Sequence, residues 1–388
     1  MDKSDIRICL TGGSSGGHLF PLIFVSREIK RIAKSKGWNL RIFYLGSLPF
    51  RSEILKEEGI DIFLIPDVRL RKYFTFKNLV IIFNLPLNFL LALYRLFILM
   101  PDVIFSKGGP GTIGVILAGW FLRIPIIIHD SDSVPGLSNK IAGLFAKKII
   151  LSFDSASSYF NSKKIIVLGQ PVDALSIKLP VFSEDYERFH LNKDEKIILI
   201  LGGSQGSVFV NELVAQSLPE ILNFSQVVHQ VGDKNYQETV SLVKGILMSS
   251  SLDNPAVAKN LLSKYHPYSF INHQDLIILM KMADLVISRA GSGTIFELAA
   301  LAKPSILIPI EEKVAGKHQL LNARIYASSG ACYVLEEENA KPHLLAEVIK
   351  QILFNEELYL KMRKSAQLFS KIDSAFKIAE EIVKIIER

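Results

Sequence analysis

Cysteine is scarce in this chain, and charge is nowhere concentrated. The two cysteines among 388 residues, Cys9 and Cys332, are far apart and each lies in an apolar, strand-like stretch. That excludes a disulfide framework and fits buried thiols in a reducing, cytosolic compartment. No His-x-x-x-His and no cysteine cluster occurs, so neither a metal nor a cofactor is expected. The net charge is +7, but lysines and arginines are scattered, so nucleic acid is not the expected partner. Low-complexity tracts and heptads are absent, which excludes disordered and fibrous classes. Met1 to Arg7 is polar and lacks the apolar core of a signal peptide, so no export is expected. One long hydrophobic run, Asn78 to Met100, has about the length of a bilayer span. Asn84, Pro86, Asn88 and Arg95 interrupt it, and a spanning helix is the weaker reading.

What is present is an alternation of short apolar runs with amphipathic ones. Ile6 to Leu10, Leu40 to Leu45, Val103 to Phe105, Ile126 to His129 and Lys148 to Ser152 read as buried parallel strands. Between the first two, Leu22, Val25, Ile29 and Ile32 fall on one helical stripe behind Pro21, near the first turn. After a break at Gly-Gln-Pro-Val the pattern restarts, with strands at Lys196 to Leu201, Gln226 to Gln230, Leu285 to Ser288 and Ser305 to Pro309. The fold class is therefore α/β, with two doubly wound parallel-sheet domains. Their expected extents are 1–170 plus 369–388, and 171–368. The last stretch, Glu356 to Arg388, breaks near Ile372-Asp373-Ser374 and crosses back to the first domain. In such sheets ligands collect at the carboxyl ends of the strands, and the cleft between the domains is the expected site.

Three constellations sit at such ends. Thr11 to His18 (TGGSSGGH) is a glycine-rich turn between strand and helix, where backbone N–H groups and the helix N-terminus suit an anion. It lacks the Lys-Ser/Thr ending of a Walker A loop and does not match the dinucleotide fingerprint. His18, at its tip, is suited to take a proton from a hydroxyl, or else caps or packs the helix. Ser288 to Glu297 (SRAGSGTIFE) again passes from strand to helix. There Thr294 and Glu297 have the spacing of a capping box, or serve a phosphate and a ribose; the preceding Arg-x-Gly-x-Gly favours the nucleotide reading. Gly316 to Ala323 (GKHQLLNA) brings polar side chains to a third helix start, where Gln319 can reach a sugar hydroxyl.

These constellations, in this order, resemble the MurG family, which adds N-acetylglucosamine to undecaprenyl-pyrophosphoryl-muramoyl pentapeptide. Further carriers are Ser106-Lys107-Gly108-Gly109, His129 to Lys140 (HDSDSVPGLSNK), Gly169-Gln170-Pro171-Val172, Gly202 to Gly206 (GGSQG) and His229-Gln230. The resemblance implies a GT-B type fold, two Rossmann-like domains facing a cleft, and an inverting reaction without metal. UDP-N-acetylglucosamine would be the donor, held mainly by the second domain, and lipid I the acceptor. It further implies peripheral attachment to the cytoplasmic face of the inner membrane, and cell-wall synthesis proteins as candidate partners. His18 becomes the preferred base, with Asp132 to orient or replace it. Ser204 and Gln205 would lie near the donor, Ile271 beside uracil, and Ser292, Gly293 and Thr294 at the diphosphate. Glu297 would meet the ribose, and His318 with Gln319 the sugar. Ser14, Ser15, Gly16 and Asp132 join the donor set from the first domain. Gly13, Gly17, Lys107, Gly108 and Gly109 would form the acceptor diphosphate loops. The family's Gly-Asn-Pro-Val-Arg reads Gly-Gln-Pro-Val-Asp, so Asp173 replaces a cation that would meet the donor. Pro110 replaces the usual aromatic after Gly109, and Ser14 a common glycine.

Arg69, Arg71, Lys72 and Lys77 beside Phe74, Phe76, Phe83, Leu87, Phe89 and Phe97 suit a peripheral helix on an anionic membrane surface, extended by Trp120, Phe121 and Arg123. An internal helix with a few basic surface residues is the plainer alternative. Another lipid glycosyltransferase or a UDP-N-acetylglucosamine 2-epimerase stays open as a second enzyme class, and a nucleotide-sugar sensor as a non-enzymatic one.

Overall fold

The computed structural model describes residues 4–49, 51–66, 77–109, 111–203, 206–250, 254–310 and 318–387, with side chains in the helix that starts at Lys77 described from Asn84 onward. The chain divides into two compact units, Met1–Asp173 with Lys371–Arg388, and Ala174–Ser370.

The first unit is built on β1 (Asp5–Thr11), β2 (Asn39–Gly46), β3 (Asp61–Leu64), β4 (Val103–Ser106), β5 (Ile126–Asp130), β6 (Lys148–Leu151) and β7 (Ile165–Val167). They form one parallel sheet in the order β3-β2-β1-β4-β5-β6-β7. Alternate residues of each central strand point to opposite faces. Ile8, Leu10, Val103, Phe105, Ile127 and Ile150 pack against Leu22, Val25 and Ile29 of helix Gly16–Lys36 and Ile378, Ile382 and Ile385 of helix Ser374–Ile386. Cys9, Ile104, Ile126, Ile128 and Ile149 meet Ala92 and Leu96 of helix Lys77–Leu99 and Val115 and Ile116 of helix Thr112–Phe121. Because helices cover both faces, these strands are apolar throughout rather than alternating. Each buried Ile, Leu or Val stabilises the unit by about 1.5–3 kcal/mol before the cost of ordering is deducted.

Pro21 lies in the second turn of its helix, which begins five residues earlier than the proline alone suggests, at Gly16. The missing proline N–H leaves the carbonyl of exposed Gly17 without its helical donor, where water can serve it.

The second unit uses β8 (Lys196–Leu201), β9 (Ser225–Gln230), β10 (Tyr265–Tyr268), β11 (Leu285–Ser288), β12 (Ser305–Leu307) and β13 (Cys332–Val334), all parallel in the order β10-β9-β8-β11-β12-β13. In each unit the order reverses between two adjacent strands, β1 and β4 or β8 and β11. Their following loops part to opposite faces and leave a crevice at the carboxyl ends.

Candidate functional site

In the first unit the crevice is lined by the loop from Gly12 to Ser15 and the loop after β4. Thr11 and Ser106 are paired in register, so both loops leave the sheet at the same level. Gly109 has φ +102°, and a Cβ there would come within 2.8 Å of the Gly13 Cα and 3.1 Å of His18 Nε2. Only glycine permits this approach, which presses Gly108-Gly109 against Gly13 and the imidazole. Ser15 stands at the N-cap of helix Gly16–Lys36, yet its hydroxyl makes no cap bond. It lies 2.9 Å from His18 Nδ1. The first N–H groups of the helix, at Gly16 and Gly17, are thus left to an outside acceptor, as an anion site requires. Ser14 adjoins them, half-buried.

Burial, reinforced by the charge of Lys107, pushes the His18 imidazole down to about 4. It is neutral at physiological pH and able to accept a proton. Burial also pushes His129 well down; its Nε2 donates to the Gly169 carbonyl at 3.0 Å, which makes Nδ1 an acceptor for the Lys107 ammonium at 2.7 Å. Lys107, assigned from the sequence to the acceptor loops, is 1% exposed and turned into this network. Asp132 is half-buried on the turn after β5, and its N–H donates to Asp130 Oδ1 at 3.0 Å. Asn139 donates to the other Asp130 oxygen at 2.7 Å. Asp130 and Asp132 have Asp-x-Asp spacing, a pair that the expectation of no metal did not take into account. Among the described residues no group of three His, Cys, Asp or Glu side chains could hold a metal ion.

In the second unit, Gly206 of the loop after β8 lies too close to the Val231 carbonyl, just past β9, to admit any side chain. Ser204 and Gln205 of this loop lie outside the described residues, as do Pro110, Gly316, Lys317 and the basic cluster Arg69, Arg71 and Lys72 with Phe74 and Phe76. Gln230, at the end of β9, ties two loops together. Its Nε2 donates to the Gly203 carbonyl at 3.1 Å and its Oε1 accepts from Ile271 N at 3.0 Å. The helix after β11 runs from Ser292 to Ala300 with Gly291 as N-cap and no side-chain cap. Thr294 is therefore the third helical residue, not the cap, and the capping-box alternative for Thr294 and Glu297 is not formed. Ser292, Gly293 and Thr294 present first-turn N–H groups at the carboxyl end of β11. Glu297, 12% exposed, lies 3.9 Å from His273 Nδ1.

Arg289 faces inward instead: it pairs with Glu337 at 2.6 Å and donates to the Ile308 carbonyl and Ser207 Oγ. The arginine of the Arg-x-Gly-x-Gly run thus anchors the loop to three distant segments. His318 opens helix His318–Ser328, and Gln319 Oε1 accepts from Ile310 N at 3.3 Å. Asp173 belongs to the first unit and pairs with Arg27 at 2.9 Å. Two supports gave no sign in the sequence: Tyr44, whose hydroxyl is 2.8 Å from the Gly12 carbonyl, and Ser131, a Lys107 acceptor.

Two doubly wound parallel sheets, each with a glycine-rich crevice at its order reversal, define a fold of the GT-B type. The chain belongs to glycosyltransferase family 28, matching its N-terminal domain over residues 8–151 and its C-terminal domain over residues 197–381. Among its relatives is the "UDP-N-acetylglucosamine--N-acetylmuramyl-(pentapeptide) pyrophosphoryl-undecaprenol N-acetylglucosamine transferase" of Clostridium perfringens, 34% identical over 97% of this chain and 98% of that protein. A second transferase of that description, from Bacillus cereus, is 33% identical over 91% and 93%. Among solved structures, Acinetobacter baumannii MurG matches with TM-score 0.71 at 22% identity over 98% of this chain and 99% of that one. The UDP-GlcNAc 2-epimerase of Neisseria meningitidis matches with TM-score 0.68 at 13% identity over 98% and 100%. At these identities the structural likenesses speak for the fold alone.

Proposed function

We propose that the chain transfers N-acetylglucosamine from UDP-N-acetylglucosamine to lipid I, undecaprenyl-pyrophosphoryl-N-acetylmuramoyl pentapeptide, giving lipid II for peptidoglycan synthesis. The observation that carries this reading is the end-to-end similarity to the Clostridium perfringens transferase. On this reading an acceptor hydroxyl attacks the anomeric carbon in line and a new C–O bond forms. The bond to the diphosphate breaks with its electron pair on UDP, and configuration inverts. The hydroxyl proton passes to His18 Nε2. When Nδ1–H donates to Ser15 Oγ, the Nε2 lone pair is free for this role. Asp132 orients His18 or serves as the base in its place.

Gly13, Gly17, Gly108 and Gly109 line the acceptor diphosphate, and Ser14, Ser15 and Gly16 join the donor set from the first unit. Ser292, Gly293 and Thr294 stabilise the leaving diphosphate through helix-terminal amides, without a metal. Glu297 accepts from ribose hydroxyls, Ile271 packs on uracil, Ser204 and Gln205 lie near the donor, and His318 and Gln319 meet the sugar. The test is purified protein with labelled UDP-N-acetylglucosamine and a short-chain lipid I analogue. Disaccharide product is expected; epimerised donor, or no UDP release, would sink the reading.

We also propose docking on an anionic membrane surface. Helix Lys77–Leu99 buries Asn88, Ala92 and Leu96 but exposes Leu87, Leu90, Tyr94, Phe97 and Ile98, with Trp120 and Phe121 of helix Thr112–Phe121 also exposed. Such an outward apolar face, with Arg95 and Arg123 exposed as well, suits lipid. No helix among the described residues is long and apolar enough to cross a membrane. The protein should float with anionic vesicles; failure to float with any vesicle removes this part alone.

A further inference from the structure

Lys107 lies at the end of β4, 1% exposed, and its ammonium meets one acceptor for each N–H. These are His129 Nδ1 at 2.7 Å, Gln170 Oε1 at 3.0 Å and Ser131 Oγ. The acceptors come from β5, from the segment after β7 and from the turn that leads into Asp132. The ammonium donates to all three, whereas a neutral amine would donate to two and accept from the Ser131 hydroxyl, so the three anchors hold in either form. Gln170 is itself fixed: its Oε1 accepts from Ser152 Oγ at 3.2 Å and its carbonyl from Ser374 Oγ at 2.6 Å. On the other side is Gly12, where a Cβ would lie 3.5 Å from the Lys107 Cβ and 3.6 Å from the His18 Cβ. The stems of the lysine and the histidine thus flank one glycine.

We propose that Lys107 is a positioning residue of the acceptor half-site: its bonds to Ser131, His129 and Gln170 fix the turn carrying Asp132 beside the Gly12–His18 loop, without touching substrate. This rests on the transferase reading above. The titratable and charged groups facing Lys107 are His129 and Asp130 of β5, Asp132 of the next turn, and His18 of the first helix. Burial pushes the ammonium down, and Asp130 and Asp132 oppose that push. Its charge in turn holds His18 down, so removal of the charge should let the imidazole rise.

The test is Lys107→Met in the full chain, with UDP-N-acetylglucosamine and the lipid I analogue. Expected are a kcat lower by about tenfold or more, both KM values within about twofold of wild type, and an acid limb of kcat/KM moved up by about one pH unit. A raised acceptor KM with kcat and pH profile unchanged would make Lys107 a substrate contact and overturn the proposal. A variant indistinguishable from wild type would overturn it equally. If Lys107→Met does not fold, Gln170→Leu keeps the charge and removes one anchor; it should lower kcat with KM unchanged, and an unaltered kcat refutes the role. NMR titration of the His18 ring in wild type and variant reads the same coupling without turnover. A chain that fails to transfer sugar but shows the His18 shift therefore refutes the transferase reading, whereas a working enzyme without the shift refutes the positioning.

Discussion

If His18 is the base, the acid limb of kcat/KM should lie far below that of an ordinary histidine. At pH 5.5 an imidazole with the usual value of about 6.5 is only about one-tenth neutral, whereas one titrating near 4 is about 97% neutral. The sign follows from the cause. Burial and the Lys107 charge both disfavour imidazolium, so the base form persists as pH falls and is lost only through the depressed folded value. Lowering the pH from 7.5 to 5.5 should therefore leave kcat/KM within about twofold. The measurement is coupled UDP release at subsaturating lipid I analogue, because kcat/KM reports the free enzyme; a bound diphosphate would raise the imidazole's value in the complex. A limb with its midpoint near 6.5, or its survival in His18→Ala, would refute the assignment. His18→Ala itself should cost about 10²–10⁴ in kcat.

Glu297→Ala should raise the donor KM by about tenfold or more, the loss of a charge-assisted pair of hydroxyl bonds; an unchanged value would leave Glu297 with no part in donor binding. Gly109→Ala forces a side chain onto the Gly13 backbone at positive φ, so kcat should fall at least about tenfold while urea unfolding moves by only about 1–2 kcal/mol. Equal losses in both would make the glycine a folding residue only. Arg27→Met leaves Asp173 and Glu58 without the guanidinium they share. Because Arg27 is 37% exposed, the cost at pH 7 should be about 1–3 kcal/mol in urea unfolding, short of a fully buried pair. A variant as stable as the wild type would refute the ion-pair account.

The central strands were legible because both faces are covered, and a strand buried on both sides must be apolar at every position. The four strands that escaped the sequence reading, β3, β7, β10 and β13, are the four sheet edges. They are short and only partly buried, and β10 contains Pro267, which a central strand would not tolerate. Edge strands need neither a continuous apolar run nor a clean alternation, so no periodicity marks them. The candidate site divides in the same way. Gly109 and Gly206 are visible because close backbone approach admits no other residue, and Gly203 because its φ of +92° disfavours a side chain. What a polar side chain bonds to is set by distant segments, which hides Tyr44, Ser131 and the inward turn of Arg289.

Both departures from the family segment at Gln170 and Asp173 are taken up inside the first unit. Gln170 reaches Lys107, and Asp173 reaches Arg27, which also holds Glu58. A cation at position 173 would meet Arg27 as a like charge, so the two sites are coupled rather than independent. Asp173→Arg alone should therefore destabilise the chain, and Asp173→Arg with Arg27→Glu should recover part of that loss. If the double variant also bound UDP-N-acetylglucosamine more tightly, position 173 would still face the donor, and the native aspartate would mark a contact exchanged for an internal ion pair. Unchanged donor affinity with recovered stability would mean that the residue serves only to tie the end of the first unit to its first helix.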